Sequence, residues 1–258
     1  MPRATFRFYQ ELNDFLPPHQ CQVAFDHDWI GSPSIKHLVE ALGVPHTEVD
    51  LILVNDRSVD WSCRPQDGDR IAVYPVFESL DITPLIRLRP EPLREVRFVL
   101  DGHLGRLAAY LRMLGFDTLW NNNPADATLA HISKEERRIL LTRDQGLLKR
   151  SAVTHGYWVR ATAPREQLVE VIGRFDLRRA ARPFTRCLSC NGLLSPVSLG
   201  EVKEQLPAQA AHAYQEFWHC DACRKVYWQG SHYRRMARLV EEALSTAEDA
   251  EGAKDFAE

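Results

Sequence analysis

Four cysteines and three aspartates have the types and spacing to do chemistry. Cys187-Leu188-Ser189-Cys190 and Cys220-Asp221-Ala222-Cys223 are two C-x-x-C pairs with 29 residues between them. Each two-residue spacer lets a tight turn aim both sulfurs at one ion, and four thiolates satisfy tetrahedral zinc. The alternatives are a redox dithiol or two disulfides. A redox C-x-x-C normally closes a strand and opens a helix in a βαβ unit, and two facing one another would be unusual. Cys21 and Cys63 stand alone and read as reduced, partly buried small hydrophobes.

The carboxylates read differently. Asp101 and Asp144 each follow a short apolar run, Val96–Leu100 and Ile139–Thr142, that reads as a strand. If these strands are parallel, both aspartates stand at carboxyl ends, where such sheets bind ligands. Asp126 opens the next helical segment and is the third candidate. Carboxylates gathered in one cleft repel each other, and a hard dication, Mg²⁺ or Mn²⁺, relieves that repulsion. Such ions serve phosphodiester hydrolysis: an activated water attacks phosphorus in line and the 3′ oxygen leaves. The plainer alternatives are local. Asp126 can be an N-cap, and Asp144 before Gln145-Gly146 or Asp101 before Gly102 can cap a turn. Asp117 and His103 are supporting candidates, each with a structural or bystander alternative. Arg106 and Arg143 flank the acids and could grip phosphate bidentately, whereas Arg112 reads as a solvated helix residue.

The elements that must position these groups follow from periodicity. Residues 95–183 alternate strand and helix, which predicts a parallel, wound α/β sheet. Leu104, Leu107, Ala108, Leu111 and Leu114 share one helical face closed by Gly115, Ala125 to Glu136 reads as a second helix, and Gln167 to Phe175 as the last. Residues 1–80 read as a ββαββ unit: strands at Thr5–Tyr9, Cys21–Phe25, Leu51–Val54 and Ile71–Tyr74, with a helix capped at Ser32-Pro33 and ended by Gly43. Residues 81–94, with Pro84, Pro90 and Pro92, read as a linker, residues 184–240 as the zinc-binding part, and 241–258 as an acidic tail expected to be disordered.

Charge is segregated along the chain. Residues 91–185 carry 16 Lys/Arg against 11 Asp/Glu and residues 186–240 carry 7 against 4, whereas both ends are acidic. A basic centre favours a polyanionic partner; the alternative is solvated helix faces. Around the second knuckle, Trp218, Tyr227, Trp228 and Tyr233 interleave with Arg224, Lys225, Arg234 and Arg235. Rings that stack on bases beside cations that meet phosphates suit single-stranded RNA; the alternative is that the rings fill a small core. No apolar run approaches the roughly 18 residues of a membrane span, and Met1–Phe6 lacks the apolar core of a signal peptide. Unpaired cysteines and the absence of such segments favour a reducing, cytoplasmic setting.

Two resemblances sharpen this reading. The ββαββ order is that of a ubiquitin-like β-grasp fold, and Asp67–Val76 resembles the end of sulfur-carrier proteins of thiamine and molybdopterin synthesis. Those carriers need a free Gly-Gly tail; here the chain runs on through Phe77-Glu78-Ser79, so a binding or packing module is expected, with a protein partner as its candidate ligand. The run Phe98–Ala108, beginning Phe98-Val99-Leu100-Asp101-Gly102-His103, resembles the Mut-seven C-terminal RNase family, a branch of the PIN-like nucleases. So do Leu111–Asp117, Ile139–Asp144, Arg186–Asn191 and Tyr227–Tyr233. The resemblance covers about residues 95–240, and a ubiquitin-like domain is also found fused to this family. It implies a PIN-like parallel sheet sandwiched by helices, a C-terminal zinc ribbon and a metal-dependent ribonuclease with acidic positions at Asp101, Asp126 and Asp144. Many PIN proteins carry a fourth acid on the helix between the first strands; Leu104–Leu114 holds none. The reading from another class is therefore a catalytically silent RNA-binding or protein-interaction adaptor.

Overall fold

The computed structural model describes residues 1–75, 88 and 95–254, with side chains to 247; most of the expected 81–94 linker lies outside the described residues. The chain opens with β1 (Arg3–Phe8), β2 (Phe25–Asp28), α1 (Ile35–Ala41), β3 (Val49–Val54), β4 (Arg57–Ser58) and β5 (Arg70–Pro75). It continues through β6 (Phe98–Leu100), α2 (Gly105–Met113), β7 (Thr118–Trp120), α3 (Asp126–Glu135), β8 (Ile139–Thr142), α4 (Gln145–Leu148), β9 (Gly156–Trp158) and α5 (Pro164–Arg174). The last part holds β10 (Leu194–Val197), α6 (Leu199–Val202), α7 (Ala208–Ala213), β11 (Phe217–Cys220), β12 (Val226–Trp228) and α8 (Ser231–Lys254). Two compact units result: Met1–Glu95 with Asp126–Trp158, and Val96–Ala125 with Val159–Glu258.

In the first unit, the N-terminal strands form a sheet in the order β2-β1-β5-β3-β4. β1 and β5 are parallel, and the other pairs antiparallel, the β-grasp arrangement. Alternation in β1 sends Ala4, Phe6 and Phe8 into the core, where α1 adds Ile35, Leu38 and Val39. The cap of α1 is Ser34, two residues beyond the expected Ser32; its hydroxyl accepts the His37 N–H at 3.3 Å. Gly43 ends the helix region at φ +108°, and a Cβ there would stand 2.9 Å from the Phe15 carbonyl oxygen. The second strand lies four residues beyond its expected start. Cys21 and Gln22 form a turn, with Gln22 at φ +59°, and the Cys21 thiol is shared among the carbonyls of Asn13, Leu16 and Pro17.

The same unit contains α3, β8, α4 and β9, with β8 and β9 parallel. The β-grasp segment Pro45–Asp50 is buried. The His46 ring spans the Glu40 carboxylate at 2.7 Å and the Val153 carbonyl at 2.8 Å, and Glu48 accepts the Trp158 backbone N–H at 2.6 Å. Lys149 reaches the Glu40 carbonyl at 3.0 Å, and the Phe15 and Trp158 rings lie 4.9 Å apart. The β-grasp module thus packs on part of its own chain.

In the second unit β6 and β7 are parallel, so all four strands between residues 98 and 158 pair in parallel fashion, two in each unit. Helix α2 buries Leu107, Ala108 and Leu111. The ribbon sheet has the order β10-β11-β12 and is antiparallel throughout. The acidic tail departs from expectation: α8 continues helically to Lys254 instead of becoming disordered at about residue 241. Val240, Ala243 and Ala247 recur at helical spacing and are buried, which gives the segment an apolar stripe despite its charge. Among the described residues no helix is long and apolar enough to cross a membrane.

Candidate active site and cysteine centre

Asp101 stands directly after β6 and Asp144 two residues after β8, each at the carboxyl end of a parallel strand. Each of these loops is pinned by a tryptophan from the end of the neighbouring strand. In the β6–β7 register Leu100 faces Trp120, whose indole N–H donates to the Gly102 carbonyl at 3.1 Å. In the β8–β9 register Thr142 faces Trp158, whose indole donates to the Arg143 carbonyl at 3.2 Å. Neither tryptophan was singled out by the sequence reading for this role. Their signal was a tryptophan near the end of each neighbouring strand, which had no stated purpose without the pairing register.

The environments of the acids differ. Asp101 precedes a single 3-10 turn, Gly102–Leu104, and its side chain makes no capping hydrogen bond there. Asp144 does cap: its Oδ1 accepts the Gly146 N–H at 2.7 Å and the Leu147 N–H at 3.4 Å, and Thr142 Oγ1 accepts its backbone N–H at 2.9 Å. Oδ2 has no hydrogen-bond partner among the described residues. Asp126 is the first residue of α3, exposed, and paired with Arg150 at 3.3 Å. His103 and Arg106 are exposed beside Asp101, and Arg143 is exposed beside Asp144.

Asp117 serves another purpose. It accepts the Asn191 side-chain N–H at 2.7 Å and lies 3.9 Å from Arg186, while the Asn191 side-chain Oδ1 accepts the Thr118 N–H at 2.9 Å. Arg112, expected to be solvated, is 4% exposed. Its Nε donates to the Thr118 carbonyl at 2.9 Å, and one Nη donates to the carbonyls of Leu188 and Ser189 at 3.1 Å each. Burial lowers its pKa against the opposing pull of the Cys187 and Cys190 sulfurs. The first cysteine knuckle is therefore fastened to the end of β7 by a buried guanidinium and an amide.

The two knuckles repeat one backbone design. Cys187 N–H donates to the Gly192 carbonyl and the Cys187 carbonyl accepts from Asn191; Cys220 N–H donates to Lys225 and its carbonyl accepts from Arg224. Asn191 and Arg224, each four residues after the first cysteine of its pair, adopt φ of +73° and +62°. The four Sγ atoms lie within 4.8 Å of one another, with Cys187–Cys223 at 3.6 Å and Cys190–Cys220 at 3.4 Å. A tetrahedral zinc with Zn–S near 2.3 Å spaces its sulfurs by about 3.8 Å, so the quartet fits that ion. The sulfurs are unbonded to one another, and the knuckles belong to an antiparallel ribbon instead of a βαβ redox turn. Burial pushes the Cys187 thiol up, but hydrogen bonds from the Tyr227 hydroxyl and from backbone amides hold it near 6. Burial and neighbouring sulfurs push Cys190 up to about 12. Lys225 donates to the Ser189 hydroxyl at 3.0 Å, and Arg224 contacts His219 at 3.0 Å, while Arg234 and Arg235 are exposed on α8.

Parallel strand pairs flanked by helices, followed by an antiparallel ribbon with four clustered cysteines, define the class of architecture. The chain belongs to the Mut7-C RNAse domain family, which it matches over residues 96–240. Residues 1–81 match a second family, described as Mut7-C ubiquitin. Two crystal structures of small archaeal modifier protein 1 from Haloferax volcanii are similar to part of the chain. Each is 13% identical with a TM-score of 0.25 and covers 30% of this chain, and the match spans 100% of one solved chain and 99% of the other. No curated protein matches the chain.

Proposed function

We propose that the protein is a metal-dependent endoribonuclease whose carboxylates are Asp101, Asp126 and Asp144, with the zinc ribbon assisting RNA binding. The observation that carries this reading is the repeated strand-end design: an aspartate after each of two parallel strands, in a loop held by an indole from the adjacent strand. The donor chemistry suits Mg²⁺ or Mn²⁺, since all three residues carry hard carboxylate oxygens and Asp144 keeps Oδ2 for a ligand, while Asp126 must exchange its contact with Arg150 to take part. Asp101 and Asp144 would hold that ion, with Asp126 binding it or orienting water. When bound, it supplies charge neutralisation at the phosphate and acidifies water.

The chain's own groups do the rest. Arg106 and Arg143 bind the flanking phosphate oxygens and orient the diester. Water adds to phosphorus, the bond to the 3′ oxygen breaks, and a proton passes to that oxygen. Cys187, Cys190, Cys220 and Cys223 hold Zn²⁺ and keep the ribbon folded, which favours a reducing, cytoplasmic location. The β-grasp module, besides packing on its own chain, is the surface offered to a protein partner.

The test uses the full chain with Asp101→Asn and Asp144→Asn. Asparagine is as good an N-cap as aspartate, so the second change preserves the α4 cap while removing the charge. Both variants should lose Mn²⁺-dependent cleavage of end-labelled single-stranded RNA and keep their RNA affinity. Cleavage that survives both substitutions overturns the assignment. A wild-type chain that binds RNA without cutting it supports the adaptor reading instead.

A further inference from the structure

Beside the ribbon lies a cavity of about 340 Å³ that includes none of the acidic candidates. Its volume falls within the range of small-molecule sites, about 300–1,000 Å³. Phe184, Trp218, Tyr227, Trp228 and Tyr233 contribute to its wall, and Gln229 adds an amide. The rings of Phe184 and Tyr233 lie 4.6 Å apart at 46°. Phe184 holds φ at +61°, a conformation costly for a bulky side chain and one that collects at ligand sites.

The polar groups of this wall face solvent: Trp218, Trp228 and Tyr233 are half-buried and Gln229 is exposed. Among the described residues the indole N–H groups of Trp218 and Trp228, the Gln229 amide and the Tyr233 hydroxyl have no hydrogen-bond partner in the protein. An aliphatic occupant would leave them unpaired as it displaced water, which is unfavourable. A flat heteroaromatic ring with donors and acceptors along its edge satisfies both the ring faces and the polar groups. Arg186 lines the cavity, its guanidinium donating to the Gly115 and Asn191 carbonyls, and Arg234 and Arg235 are exposed on the turn of α8 that carries Tyr233. A planar base linked to phosphates matches a planar aromatic wall bordered by guanidinium groups.

We infer that this cavity takes one unstacked nucleobase of a single-stranded RNA, with the flanking phosphates on Arg234 and Arg235. The inference rests on the nucleic-acid reading above and adds a base-binding site to it.

The test compares two ligands on the full-length, zinc-containing protein carrying Asp101→Asn, so that nothing is cut. One is a ten-nucleotide single-stranded RNA; the other is an abasic ribose-phosphate chain of the same length. Fluorescence anisotropy should show the RNA binding about tenfold tighter than the abasic chain. Tyr233→Ala and Gln229→Ala should each weaken RNA binding while leaving the abasic chain unaffected. Tyr233→Phe, which keeps the ring, should retain most of the affinity and shows that the fold is intact. Equal affinity for the two ligands overturns the base site and leaves the ribonuclease reading standing. No binding of either overturns both. A concentration-dependent dimer in light scattering that Tyr233→Ala abolishes overturns the inference in favour of a second copy of the chain as occupant.

Discussion

Trp120 donates its indole N–H to the carbonyl of Gly102 at 3.1 Å, one residue past Asp101. Trp158 does the same for Arg143, one residue before Asp144, at 3.2 Å. The indole ring packs as any large apolar side chain does, but the N–H fixes one carbonyl and so the direction of the adjoining aspartate. Replacing each tryptophan by phenylalanine separates the two effects. Trp120→Phe and Trp158→Phe should lower single-turnover RNA cleavage by about tenfold, the cost of roughly 1.4 kcal/mol in positioning. Tm should move by only a few degrees, since most apolar contact is retained. An unchanged rate with a lowered Tm would assign the indoles a purely structural role.

Much of this arrangement could be read from the sequence, and the exceptions share a cause. β8 matched its expected Ile139–Thr142 bounds, and α2 and α3 fell within a residue of theirs, because their apolar spacing is local information. The knuckles were legible because a four-thiolate metal site fixes both residue type and spacing. Arg112 was misread because a helix residue beside buried positions looks solvated until the chain returns with the Leu188 and Ser189 carbonyls. The strand-end tryptophans needed a pairing register, which no single segment contains. The helical tail was missed because its net acidity outweighed the small residues Ala243 and Ala247 that bury its stripe.

Arg112 joins β7 to the first knuckle through three carbonyls, and lysine can satisfy only part of that fork. Arg112→Lys leaves the buried Thr118 carbonyl or the part-buried Leu188 and Ser189 pair short of a donor and should cost about 2–3 kcal/mol. For a chain of this size that corresponds to a fall of roughly 5–10 °C in Tm by calorimetry. Asn191→Gly tests the same junction from the other side. Glycine accepts the φ of +73°, so a loss beyond the roughly 0.5–1 kcal/mol of glycine's unfolded-chain entropy reports the amide's bonds to Asp117 and Thr118 and not backbone strain. Tm values equal to wild type for both variants would mean the junction contributes nothing to stability.

The cysteine quartet predicts a specific proton count. With its thiol near 6, Cys187 is mostly thiolate at pH 7, while Cys190, near 12, keeps its proton. Zinc binding must therefore displace the proton from Cys190 but little from Cys187, and calorimetry in buffers of different ionisation heat should count fewer than four protons released at pH 7. The sign for stability follows from the same values. The folded Cys187 thiol lies below its ordinary value of 9.0, so the metal-free protein gains stability from its ionisation that is complete above about 9. That contribution is lost as pH falls through about 6. Chelation at neutral pH should unfold the ribbon, read as loss of far-UV signal and a lower Tm; an unchanged melt after verified metal removal would exclude a structural zinc.

The cations beyond the knuckles are not equivalent. Lys225 is bonded to the Ser189 hydroxyl and Arg224 to His219, so moving either onto a phosphate breaks an existing contact. Arg234 and Arg235 are exposed on the first turns of α8. Each phosphate neutralised on single-stranded RNA contributes about 0.7 to the slope of log affinity against log salt. Arg234→Ala with Arg235→Ala should therefore flatten that slope by about 1.4 and weaken binding most at low salt. Arg224→Ala should change it less, because that guanidinium already has a partner. Titrations at several salt concentrations that superimpose for wild type and double variant would remove α8 from the RNA path.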